Sequence, residues 1–162
     1  MDTGNIASGL LTFASGYLVA QVPPYHDRTT GKASVLVVGC IDPRYTHDLA
    51  FYLTHSWELH ADYDLINFAG ASLGVMEKPS WKDMCYDHID LAIKLHGVTE
   101  VWCFDHLDCG MYKAVHEMEK DEDPKIHIET LKAFRADLKV REPFLKFRGF
   151  LININGGISE VV

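Results

Sequence analysis

Basic residues are in deficit: 15 Lys and Arg stand against 23 Asp and Glu in 162 residues, a formal charge of −8. On average such a surface repels nucleic-acid backbones and anionic lipid headgroups, so the expected substrates and partners are small or neutral. Cysteine is sparse as well. Four of them (Cys40, Cys85, Cys103, Cys109) are too few for a stapled secreted scaffold, and free thiols in a reducing, cytoplasmic setting are expected instead. No Cys-x-x-Cys occurs, which weakens thiol redox chemistry as a function. Internal repeats and low-complexity tracts are missing, which leaves one domain. Residues 6–22 carry no charge, but this run is short for a membrane span, is interrupted by Gly9 and Gly16, and follows Asp2 rather than Lys or Arg. Residues 1–33 therefore read as an arm and loop that pack on a partner subunit, and neither an export signal nor a membrane span is expected.

What is present is ordinary globular material, 48% hydrophobic and 23% charged, patterned as short apolar runs alternating with longer helical stretches. Residues 35–38, 64–68 and 100–104 read as strands. Residues 45–54, 80–96, 109–120 and 128–138 read as helices, with Gly97 stopping the second. Residues 69–78 read as a glycine-containing loop, and the acidic stretch 117–123 as a solvated surface. Residues 147–154 and 158–162 read as two strands joined by a tight turn at Asn155, Gly156 and Gly157.

In open α/β sheets ligands gather beyond the carboxyl ends of the strands, and two of those ends are rich in chemistry. The first strand leads into Cys40, Ile41, Asp42, Pro43 and Arg44. The third leads into Asp105, His106, Leu107, Asp108, Cys109 and Gly110. Two thiols and an imidazole make a three-ligand zinc set that leaves a fourth position open, the pattern of a catalytic rather than a structural site. A right-handed crossover can bring the two strand ends together.

Cys-x-Asp-x-Arg at Cys40, Asp42 and Arg44, followed by His-x-x-Cys-Gly at His106, Cys109 and Gly110, resembles the β-class carbonic anhydrases. Ala69 and Gly70 after the second strand, and the C-terminal strand-turn-strand, extend the likeness over residues 34–162. The resemblance implies an α/β domain with a mainly parallel four-stranded sheet, order 2-1-3-4, a C-terminal antiparallel edge strand and flanking helices. It also implies Zn2+ held by Cys40, His106 and Cys109, with Asp42 and Arg44 as an orienting dyad and a homodimer or higher multiple of dimers. The implied reaction is reversible hydration of carbon dioxide to bicarbonate by zinc-bound hydroxide.

Two thiolates and a neutral imidazole cancel the charge of Zn2+, so bound water should titrate above the ~7 of three-imidazole sites and the rate should rise with pH. In a closed state Asp42 is a possible fourth ligand. Phe68, Ala69 and Gly70 are candidates for the substrate pocket, with Phe68 also suited to plain packing. The family often has Gly where this chain has Asp105, which is expected either to orient the imidazole or to face solvent, and Asp108 is expected to point outward. Two alternatives keep the same site: hydrolysis of carbonyl sulfide or carbon disulfide, and a zinc-binding protein with a structural or regulatory role.

Overall fold

A computed structural model describes residues 11–14, 17–20, 31–60 and 62–162 and divides the chain into two units, 1–30 and 31–162. In the first unit β1 (Leu11–Ala14) and β2 (Tyr17–Ala20) pair antiparallel, with Leu11 opposite Ala20 and Ala14 opposite Tyr17. The packing expected of this arm on a partner lies outside the described residues.

In the second unit, parallel strands β3 (Val35–Cys40), β4 (Tyr63–Phe68), β5 (Glu100–His106) and β6 (Lys146–Ile152) are followed by β7 (Ile158–Glu160), which pairs antiparallel with β6. The sheet order is β4-β3-β5-β6-β7, which is 2-1-3-4 in the domain's own strands plus the final antiparallel edge. The chain leaves β3 toward β4 on one side and returns to β5 on the other, so a topological switch point falls between β3 and β5. In this architecture a crevice opens at such a point.

Both faces of the central strands are covered, which is why residues 35–38 read as a continuous apolar run. Alternate side chains point to opposite faces. Leu36, Val38, Val101 and Cys103 pack with Cys85, Ile89, Leu131 and Phe134 from helices α3 (Pro79–His96) and α5 (Pro124–Arg141). Val37, Trp102, Phe104 and Phe150 pack with Tyr45 and Leu49 from helix α1 (Pro43–Phe51) and with Leu53 from the π-helical turn Tyr52–Ser56. Cys85 and Cys103 are core residues, and burial alone pushes the Cys85 thiol up to about 12. Gly97 ends α3 in the left-handed region at φ 82°, where a missing Cβ removes the strain.

Two local expectations change, and the facing of α3 is settled. Residues 69–78 are not all loop, because Ser72–Glu77 forms helix α2; Ser72, Leu73, Gly74 and Val75 are all buried, so the segment has no polar face and no amphipathic period to read. The helix expected over 109–120 is only α4 (Gly110–Val115), and Glu117 in the left-handed region (φ 52°) ends any continuation. Along α3 the buried stripe is Cys85, Tyr86, Ile89 and Ala92, while Met84, Leu91 and Leu95 face outward. Among the described residues no helix is long and apolar enough to cross a membrane.

Candidate metal centre

The carboxyl end of β3 runs straight into α1, and one side chain links the two. Asp42 is the N-cap of α1 and Pro43 its first residue, the preferred start of a helix because the carboxylate accepts an otherwise unmet amide and proline has none to offer. Asp42 Oδ1 accepts the Arg44 backbone N–H at 3.0 Å and Arg44 Nε–H at 3.0 Å, while Oδ2 accepts from Nη2 at 2.7 Å. This two-point pairing holds the Asp42 carboxyl below its ordinary range. Arg44 is anchored in turn, for Nη1 donates to Asp108 Oδ2 at 2.8 Å and Nη2 to the Asp108 carbonyl at 3.0 Å.

The carboxyl end of β5 is built differently. His106 is 1% exposed, under the Tyr45 ring at 4.2 Å between centroids. Its Nδ1–H donates to the Leu107 carbonyl at 2.8 Å, which leaves the lone pair on Nε2. That Nε2 is buried, meets no hydrogen-bond partner among the described residues, and lies 3.9 Å from Asp42 Oδ2. Cys109, 2% exposed, has its backbone N–H bound by Asp121 Oδ2 at 2.9 Å.

The Cys40 and Cys109 sulfurs and a His106 nitrogen all lie within 4.8 Å of one another. Donors about 2.0–2.3 Å from one tetrahedral centre sit roughly 3.5–3.8 Å apart, so a small contraction seats an ion. A hydrogen-bonding contact with Cys109 lowers the Cys40 thiol against the opposing effect of burial, helped by backbone amides such as Gly70, whose N–H reaches Cys40 Sγ at 3.4 Å. The neighbouring Cys40 sulfur and burial push Cys109 the other way. A divalent cation binds cysteine as thiolate, so it would displace the protons these sulfurs carry. An orphaned buried nitrogen beside two sulfurs fits zinc.

Two spaces meet this cluster. An open recess of about 260 Å³ is walled by Ile41, Asp42, Ala69, Gly70, Cys109 and Met111. A smaller, largely apolar cavity of about 70 Å³ touches Cys40 and His106 from the side of Tyr45, Leu49 and Phe104. Of the pocket candidates, Ala69 and Gly70 line the recess, but Phe68 does not: it is 4% exposed in the core, its ring 6.1 Å from that of Trp81.

Asp105 neither orients the imidazole nor faces solvent. Next to His106 on a strand, it points to the opposite face, where it accepts from Ser72 N and Oγ at 3.0 and 2.6 Å and from Tyr112 OH at 2.7 Å. Asp108 is 38% exposed, yet it pairs with Arg44 and Lys113 rather than simply pointing outward. Asp121 departs most from expectation: within the acidic stretch read as solvated it is 1% exposed, paired with His127 at 2.9 Å. Burial opposes charge on His127, but the adjacent Asp105 and Asp121 carboxylates prevail and raise its pKa. One signal for His127 was available, since it occupies the same stripe of α5 as Leu131, Phe134 and Leu138, all buried.

A family model described as "Putative carbonic anhydrase" matches residues 30–151. An uncharacterized protein of Rickettsia bellii is 29% identical over 147 residues, covering 87% of this chain and 89% of that protein. A second, from Rickettsia conorii, is 27% identical over 147 residues, covering 87% of this chain and 78% of that protein. Among solved structures, a carbonic anhydrase from Glaciozyma antarctica has a TM-score of 0.56 at 22% identity, covering 81% of this chain and 84% of that one. A β-carbonic anhydrase from Sordaria macrospora, described as tetrameric, has a TM-score of 0.55 at 16% identity, covering 80% of each chain. The structural likenesses speak for the fold.

Proposed function

The chain belongs to the carbonic anhydrase family that its residues 30–151 match, and from that premise we propose that it catalyses the reversible hydration of carbon dioxide to bicarbonate. The observation that carries this reading is the convergence of Cys40, His106 and Cys109 beside a carboxylate held at two points by arginine. These three residues would hold Zn2+, which when bound supplies a Lewis acid that lowers the pKa of coordinated water and so provides a nucleophile near neutral pH.

The remaining work falls to the chain's own groups. Asp42, kept ionised by Arg44, accepts a hydrogen bond from the attacking water and aims its lone pair at the carbon. Arg44 occupies both Asp42 oxygens and is itself fastened to Asp108, which supports the open arrangement over one in which Asp42 is the fourth ligand. Ile41, Ala69, Gly70 and Met111 offer the neutral substrate an apolar wall. The four free thiols support a reducing, cytoplasmic setting, and the tetrameric description of the Sordaria relative supports assembly as dimers or multiples of dimers.

The test is stopped-flow carbon dioxide hydration on protein of measured zinc content, with Asp42→Asn alongside. The expected result is a rate that rises between about pH 6 and 9 and a variant that keeps its zinc but loses about 10²-fold or more in turnover. Hydrolysis of carbonyl sulfide without carbon dioxide hydration would move the site to the sulfur substrate. Full zinc occupancy with neither activity would make it a binding protein.

A further inference from the structure

Behind the three ligands lies a chain of buried ionisable groups that the reaction leaves unused. Asp105 and Asp121 are each 1% exposed, and between them sits His127, 0% exposed, its ring 3.7 Å from that of Tyr112. His127 Nε2–H donates to Asp121 Oδ1 and Oδ2 at 2.9 and 3.0 Å, while Nδ1 faces Asp105 Oδ2 at 3.5 Å. Burying so much charge is costly, and well-packed apolar side chains would stabilise the same space at least as well. The location of the network is therefore informative. Asp121 takes two successive amide hydrogens of the ligand loop: its carbonyl accepts Asp108 N–H at 2.7 Å and its carboxylate accepts Cys109 N–H at 2.9 Å. That loop gains from being held, because Asp108 lies in the left-handed region at φ 58°, which costs a residue with a Cβ some energy, though Asp less than most. At the other end the network grips Asp105, whose neighbour along the chain is His106.

We propose that Asp121 and His127 are positioning residues for the metal: they hold the His106–Cys109 loop in its ligating shape before the ion arrives, and so set how tightly the ion is bound. The inference rests on reading Cys40, His106 and Cys109 as a metal site, and it adds two residues that touch neither ion nor substrate. His127 acts by fixing the Asp121 carboxylate, and Asp121 by fixing the Cys109 backbone. Their contribution is affinity and ligand geometry rather than a step in the reaction.

The experiment is a zinc competition titration against a chromophoric chelator on the full chain, with a second readout from the thiolate-to-metal absorption of Co(II)-loaded protein. Asp121→Ala, Asp121→Asn and His127→Gln are compared with wild type, and Asp137→Ala serves as a control. Asp137 pins Lys82 and Tyr86 across α3 and α5, away from the ligands. The expected result is a 10- to 100-fold weaker zinc affinity for Asp121→Ala, a smaller loss for Asp121→Asn, which keeps a carbonyl acceptor for Cys109, and an intermediate loss for His127→Gln. The cobalt absorption shifts in these variants and not in Asp137→Ala, whose zinc affinity stays at the wild-type value despite lower stability. If Asp121→Ala does not fold, Asp121→Asn and His127→Gln carry the comparison. Folded Asp121→Asn and His127→Gln that both bind zinc within twofold of wild type overturn the inference while the metal site stands. An equal loss in Asp137→Ala also overturns it, as a general effect of stability. Wild-type protein that takes up no zinc overturns the metal site and the inference together.

Discussion

The two strand ends that meet at the site are held by opposite means. Beyond β3, Asp42 and Arg44 are 17% and 51% exposed and are tied by ion pairs that water reaches. At the end of β5, His106 and Cys109 are 1% and 2% exposed, with Cys109 tied by the buried Asp121 and His106 covered by the buried Tyr45. The difference matches the tasks proposed for them. A residue that must meet an incoming substrate needs solvent on one side, whereas a ligand must keep its geometry while the ion comes and goes, and dry hydrogen bonds are the stronger constraint. The site is thus a rigid anchor facing a reachable working pair.

Three changes probe that contrast. The largest effect is expected at the anchor: His106→Ala removes the only nitrogen donor of the set, so zinc content by elemental analysis should fall close to zero and hydration with it. An intermediate effect is expected at the seam. Gly70 stands at φ 74°, and a Cβ there would come within 2.7 Å of Met111 Cγ. Gly70→Ala should therefore lower stability in urea by about 1–2 kcal/mol and weaken the amide contact to Cys40 Sγ, with a matching fall in activity.

The smallest effect is expected on the exposed side, where hydrogen bonds from Arg44 and then Lys113 lower Asp108 from 3.8 to about 2. A carboxyl depressed in the folded state contributes stability above its unfolded pKa and loses it as pH falls through the folded one. Urea midpoints of wild type and Asp108→Asn should differ slightly at pH 5–7 and converge as the pH drops toward about 2. The gap should be small because exposed ion pairs are weak, and a large gap would mean that the working pair is as firmly built as the anchor.

Features set by near neighbours in the chain were legible without a structure. Val35–Val38 reads as a strand covered on both faces, Gly97 as a helix stop, and Cys40, Asp42 and Arg44 as a thiol, a carboxylate and a guanidinium at one strand end, although the helix read from residue 45 begins at Pro43. Helix α2 was not legible, because Ser72–Val75 is buried all round and displays no period. Nor was Asp121, which inside an acidic run carries no mark to distinguish it from Glu122 or Asp123. His127 was half legible: its place on the stripe with Leu131 and Phe134 announces burial, but nothing local names Asp105 and Asp121 as its partners.

The chain by itself determined the candidate ligand types, their order, the Asp42 and Arg44 pair beside them, and the alternation of strands and helices. Only the tertiary structure decided that Phe68 turns into the core, that Asp105 faces away from His106, and that Asp121 crosses back to take the Cys109 amide. The reason is the range of the forces involved. Backbone preference and side-chain period act over a few residues and can be read along the sequence. A buried charge must find its partner wherever the fold brings one, and that partner appears only once the strands and helices are packed.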